Sequence, residues 1–302
     1  MSRIHEALKK AELERAAAQP AVRNEAPAPD LPTVADPRAV IAGASMLAGI
    51  VPAPTTESMF ARSRQTNWNP DPKTMLFFGA DDHAPGMEEF RSLRSRLYQI
   101  REKQSLSKIL VTSALPKEGK SFTSANLAQV IVRQHGKRAL IIDADLRNPQ
   151  QHTLLGAEPG PGLSDYLESK ADEFSIIQRG PMENLFLIPA GYKAQNPAEL
   201  VGNGRVKVLL DRLESMFDWI IFDTPPAALV SDAGLLAKYC DGVLMVVRSN
   251  ATPADAARKA RKEFADRNVI GAVLNGISPE LSPYSQYYYT SYPAEAQAQA
   301  KN

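Results

Sequence analysis

Cysteine is almost absent from this chain of 302 residues: Cys240 stands alone. A disulfide framework and a Cys-based zinc site are thereby excluded. Histidine is scarce as well, and His5, His83, His135 and His152 are too scattered for a His-ligated metal centre. Charge of one sign is missing: 35 Lys+Arg against 34 Asp+Glu leave a net charge of +1. Duplex DNA selects a clustered basic excess, so no nucleic-acid partner is expected. Long apolar runs are missing too. Residues 39–51 (AVIAGASMLAGIV) are uncharged but number only 13, whereas a helix that crosses a bilayer takes about 18 or more. No apolar core follows the first basic residues, so the start of the chain lacks a signal-peptide pattern.

What is present is unevenly spread. Nine of the 23 prolines fall in residues 1–72, which are also rich in Ala and poor in large apolar side chains. Such a stretch cannot bury enough surface to offset the entropy of ordering it. Ahead of it, Ile4, Ala7, Leu8 and Ala11 share one face at helical spacing, which predicts a short amphipathic helix suited to docking on a protein partner. Four segments are expected: an amphipathic helix over 1–16, a linker without fixed structure over 17–74, an α/β domain over 75–277, and a flexible tail over 278–302.

Within 75–277 an amphipathic helix is predicted over 87–103. Short apolar runs rich in β-branched residues follow at 108–113, 139–143, 185–189, 219–223, 242–247 and 269–274, separated by helical stretches. Continuous apolarity marks strands buried on both faces, hence a mostly parallel sheet sandwiched by helices.

The first of these strands runs into residues 113–121, SALPKEGKS, and then into a helix. Strand, glycine-containing loop with Lys-Ser, and helix is the context of a P-loop. Loop and helix amides face phosphates there, aided by the helix dipole. Residues Pro116, Lys117, Glu118, Gly119, Lys120, Ser121 and Phe122 are the candidate nucleotide contacts. Gly119 permits close approach of the backbone, Lys120 reaches the β- and γ-phosphates, and the Ser121 hydroxyl can ligate Mg²⁺. Ala114 stands where the strict pattern has its first glycine. Asp143 and Asp145 close one apolar run and Asp223 another; ligands of open α/β sheets bind outside those strand ends. One such Asp would be a turn former; three beside a P-loop point to ATP and Mg²⁺. Ser121, Asp145 and Asp223 are the candidate metal ligands, and Lys120, Asp143, Asp145 and Asp223 the candidate catalytic set.

Over residues 75–292 the chain resembles the P-loop tyrosine kinases of bacteria, the BY-kinases of exopolysaccharide and capsule synthesis. The loop SALPKEGKS, the Walker A′ element around Asp143 and Asp145, and Asp223 at the Walker B position carry the resemblance. Residues 1–14 are similar to the start of exosortase-associated tyrosine autokinases. The resemblance implies a P-loop NTPase-like fold and an ATP-dependent kinase. It also implies that ExxRxxR, Glu88, Arg91 and Arg94 here, lies at the subunit interface of a ring-shaped homo-oligomer; the residues alone read as a solvated face with i, i+3 ion pairs. Asn196–Leu200 (NPAEL) matches a family loop, and Arg248 and Asn275 lie where related folds contact adenine. A membrane chain-length-determinant or polysaccharide co-polymerase is implied as activator, with a cognate tyrosine phosphatase. The implied location is cytoplasmic, at the inner face of the membrane.

Five of nine tyrosines, Tyr284, Tyr287, Tyr288, Tyr289 and Tyr292, crowd into residues 284–292. Beside an ATP site such a polar, unperiodic cluster reads as a phosphoacceptor. An extended chain from Ile277 to Tyr288 spans roughly 35–40 Å at about 3.3 Å per residue, enough to reach a neighbouring subunit. Two other readings stay open: a partition or cell-division type P-loop ATPase, and a nucleotide-dependent scaffold without catalysis. Against the first, Leu115 stands where such ATPases place a signature lysine.

Overall fold

A computed structural model describes residues 61–79 and 84–277. The helix expected over 1–16, most of the linker and the tyrosine cluster lie outside the described residues. Sixteen elements follow in chain order. The first are β1 (Arg64–Gln65), α1 (Met87–Arg101), β2 (Lys108–Ser113), α2 (Lys120–Val132) and β3 (Ala139–Asp143). Next come α3 (Gln151–Leu155), α4 (Leu163–Leu167), β4 (Gln178–Arg179), β5 (Leu185–Ile188), α5 (Pro197–Gly202) and α6 (Arg205–Leu213). The last are β6 (Trp219–Asp223), α7 (Asp232–Ala237), β7 (Gly242–Arg248), α8 (Ala254–Lys262) and β8 (Val269–Asn275).

The strands form one sheet of order β1-β4-β5-β3-β6-β2-β7-β8. From β5 to β8 every neighbouring pair is parallel, while β4 pairs antiparallel with β5 and parallel with β1, so these two short edge strands run opposite to the rest. Successive side chains of a strand point to opposite faces, so each apolar strand feeds two cores. Leu110, Leu140, Ile142 and Phe222 pack with residues of α4, α6 and α7 on one face. Ile109, Val111, Ile141 and Ile221 pack with α1 and α2 on the other. The architecture is the expected helix–sheet–helix sandwich. One strand departs from the expectation of burial on both faces: β8 occupies a sheet edge, and Leu274 is 55% exposed.

The assignment of 17–74 to a linker needs correcting over its last part. Arg64–Gln65 pairs with Gln178–Arg179, and Trp68 is buried where the ring excludes any side chain at Gly180. The chain then runs along α2 and α1 as a strap, sinking Met75 and Phe77 into the core. Its backbone is held by polar side chains of α2: Leu76 N donates to Asn126 Oδ1 at 2.9 Å, Phe77 N to Gln129 Oε1 at 3.2 Å, and Arg133 donates to Phe77 O at 2.8 Å. This explains why α2 is buried almost all round. Its polar positions satisfy a covering segment rather than water.

Candidate nucleotide-binding site

The phosphate loop leaves β2, an interior strand between β6 and β7, and enters α2 at Lys120. Its sharp turn rests on two left-handed residues, Lys117 (φ 64°) and Gly119 (φ 95°). Glu118 between them is buried, and its carboxylate accepts from Leu115 N at 2.9 Å and from the Thr252 hydroxyl. The loop is thus preformed. Its helix begins without a side-chain cap, leaving the first amides of α2 for an anion.

Parallel pairing aligns β3 and β6 so that Asp143 and Asp223 are register partners. Both are fully buried, and Asp145 nearly so. Lys120 Nζ donates to Asp145 Oδ2 at 2.8 Å and lies 3.8 Å from Asp223 Oδ1. Burial works against the Lys120 charge, but Asp223 and Asp145 outweigh it and hold its pKa above the ordinary value. Asp143 goes the other way from a typical carboxylate. Burial first, then the neighbouring Asp223 charge, hold it well above the usual range, although Gln150 N and Gln151 N donate to its Oδ2 at 3.0 and 2.9 Å. Asp223 is raised by burial as well, with Lys120 pulling against the shift. Buried carboxyls whose neighbours oppose their ionisation are candidates for handling a proton.

The donor set offered to a cation is all oxygen: the Ser121 hydroxyl with Asp145 and Asp223. That is the chemistry Mg²⁺ requires. Asp223 Oδ1 is buried without a hydrogen-bond partner, an unusual state for a carboxylate oxygen, and it fits a site completed by Mg²⁺ or one of its waters.

Residues 117–256 match the family described as AAA domain. The chain is 36% identical over 204 residues to the tyrosine-protein kinase YwqD of Bacillus subtilis (strain 168), an alignment covering 67% of this chain and 85% of that one. The chain belongs to the bacterial tyrosine-protein kinase family. It is also 35% identical over 230 residues to the putative tyrosine-protein kinase EpsB of Ralstonia nicotianae (strain ATCC BAA-1114 / GMI1000), where 72% of this chain matches only 30% of the relative. Among solved structures, the kinase domain of Escherichia coli tyrosine kinase ETK superposes with a TM-score of 0.63 at 31% identity. The superposition covers 68% of this chain and 81% of that one.

The BY-kinase fold places the other expected residues in different ways. Glu88 is exposed on α1 and pairs with Arg91 at 3.3 Å. Arg94 instead donates to Val130 O at 2.7 Å, which ties α1 to the end of α2. Pro116 is exposed and Phe122 half-buried, its ring 5.8 Å from that of Phe90. The NPAEL segment opens α5, where Pro197 is the first helical residue. Arg248 and Asn275 are brought to the loop itself: Arg248 donates to Lys117 O at 3.0 Å and Asn275 Nδ2 to Glu118 O at 2.9 Å.

Three contributors escaped the sequence reading. Gln151 donates to Asp223 Oδ2 at 2.9 Å and to Ser121 O at 3.0 Å, joining the Walker B and P-loop residues. Arg147 grips buried Asp232 through two hydrogen bonds of 2.9 and 3.0 Å, fixing the loop that carries Asp145. Thr252 is the third. Arg147 was visible two residues beyond Asp145, whereas Gln151 and Thr252 carry no local signal.

Proposed function

We propose that this BY-kinase is an ATP-dependent protein-tyrosine autokinase whose acceptors are Tyr284, Tyr287, Tyr288, Tyr289 and Tyr292, phosphorylated in trans within an oligomer. The observation that carries the reading is a buried lysine held against Asp145 and Asp223 beside a preformed phosphate loop, in a chain whose sequence carries a tyrosine cluster at residues 284–292.

Loop and α2 amides bind the β- and γ-phosphates, and Lys120 neutralises their charge. Ser121, Asp145 and Asp223 would hold Mg²⁺, which supplies further charge neutralisation on the transferring group. The acceptor phenol oxygen forms a bond to the γ-phosphorus as the bond to the ADP oxygen breaks. In its ionised form Asp143 would take the phenol proton as general base. Each phosphate adds about −1.5 to −2 charges, so a multiply phosphorylated tail is repelled by an acidic neighbouring site. Repulsion of this kind would loosen the oligomer and set up a cycle of assembly and dispersal.

The family resemblance extends the proposal to context. The kinase serves exopolysaccharide synthesis or export at the inner face of the membrane, activated by a chain-length-determinant or co-polymerase protein and reset by a phosphatase. Among the described residues no helix is long and apolar enough to cross a membrane, which is compatible with recruitment by such a partner.

A mixing experiment tests the trans step. An Asp145→Asn chain with its tyrosines intact is combined with an active chain carrying Phe at all five tail positions, in Mg²⁺-ATP. Phosphotyrosine on the Asp145→Asn chain is expected. Its absence, while wild-type protein alone becomes labelled, would replace trans by cis transfer.

A further inference from the structure

The BY-kinase reading explains what the loop holds but not why Arg248 and Asn275 hold the loop. These two residues are register partners at the ends of β7 and β8. Their side chains take the carbonyls of two successive loop residues, Lys117 at 3.0 Å and Glu118 at 2.9 Å. A trans peptide is planar, with its C=O and N–H pointing in opposite directions. Fixing the two carbonyls toward β7 and β8 therefore turns the amides of Glu118 and Gly119 away from those strands. Oriented loop amides of this kind make the anion-binding concavity of a P-loop. The arrangement is braced further. Thr252 bonds the Glu118 carboxylate and accepts from Arg248 N at 2.9 Å, while Ser249 N donates to Asn275 O at 2.8 Å. Contact at Gly119 is equally close: a Cβ there would lie 1.9 Å from Asn275 Nδ2.

Asn275 is also the last residue of β8. Nine positions further along the sequence stands Tyr284, the first tyrosine of the cluster. We propose that Arg248 and Asn275 are positioning residues of the phosphate loop, and that Asn275 couples nucleotide binding to the base of the tyrosine tail. Such coupling is reciprocal: nucleotide that favours the oriented loop also favours the Asn275 contact, and loss of that contact at the end of β8 weakens nucleotide retention. The inference rests on the nucleotide-site reading above, and the experiment separates the two.

Full-length protein is titrated with a fluorescent, non-hydrolysable ATP analogue in Mg²⁺, as wild type, Asn275→Ala, Asn275→Asp and Arg248→Ala. Loss of one such hydrogen bond is expected to weaken binding about fivefold. Aspartate keeps the shape of asparagine but has no donor to offer Glu118 O, so it should weaken binding at least as much as alanine. Wild-type affinity restored by aspartate would show a space-filling role and overturn the proposal, as would unchanged affinity in all three variants. Failure of the wild type itself to bind would refute the nucleotide site as a whole. Hydrogen exchange of wild-type protein tests the coupling without any variant. Nucleotide should slow exchange over residues 275–277, and unaltered exchange there alongside demonstrated binding would overturn it.

Discussion

Replacing Lys120 by Met keeps most of the unbranched side chain and deletes the ammonium that sits 2.8 Å from Asp145 and 3.8 Å from Asp223. Two fully buried carboxyls, Asp143 and Asp223, and the nearly buried Asp145 then face one another without that cation. Removing one partner of a buried ion pair typically costs about 3–5 kcal/mol. For a domain of this size that lowers Tm by about 6–20 °C near neutral pH, at about 2–4 °C per kcal/mol. The penalty depends on pH, and its sign is fixed. Asp143 and Asp223 already have raised pKa values in the folded protein, so they bind protons more tightly folded than unfolded. Stability they contribute is fully present below the unfolded value and is lost as pH rises through the folded one. Lys120 holds Asp223 and Asp143 down; without it both rise further, and the loss of stability with rising pH steepens. Thermal unfolding of both proteins in the absence of nucleotide, at intervals from pH 5 to pH 8, should show a gap that is small in acid and widens toward pH 8. A gap independent of pH, or one that closes as pH rises, would refute the electrostatic account of the site.

Three further outcomes are expected. Gly119→Ala places a Cβ at φ 95° and against Asn275 Nδ2; it should destabilise the protein by about 1–3 kcal/mol in denaturant titration and weaken binding of a fluorescent ATP analogue. Arg147→Ala strands Asp232, whose side chain is 1% exposed. Because the Arg147 side chain is 42% exposed, water can partly replace it and a loss of about 1–2 kcal/mol is expected, with kcat reduced through misplacement of Asp145. Trp68→Ala, in the edge segment far along the sequence from the site, should cost about 3–5 kcal/mol while leaving KM for ATP unchanged in the folded fraction.

Much of this molecule was legible because parallel strands buried on both faces leave continuous apolar runs. The segments Lys108–Ser113, Ala139–Asp143 and Trp219–Asp223 match their strands at both ends. Asp143 and Asp223 were legible for the same reason, since a charged residue that closes an apolar strand marks the functional end of the sheet. Strands β1 and β4 were not, each being two residues long and too short to show a local pattern; β1 is further held by pairing with β4 across more than 100 positions. Arg94 shows the limit of helical spacing as a guide. The i, i+3 rule pairs Glu88 with Arg91, as observed, but Arg94 is spent on Val130 O, a contact set by how α1 lies on α2. Gln151 was likewise hidden, because its value comes from reaching Asp223, 72 residues away.

The central claim is that this chain transfers phosphate from ATP to its own tyrosines, and mass spectrometry of the phosphorylated protein tests it most directly. Purified wild type and Asp145→Asn are incubated with Mg²⁺-ATP with no other kinase present, and every tyrosine is mapped. Phosphate confined largely to Tyr284, Tyr287, Tyr288, Tyr289 and Tyr292 in wild type, and absent from Asp145→Asn, is the predicted result. ATP binding without phosphotyrosine, or equal labelling of both proteins, would contradict it.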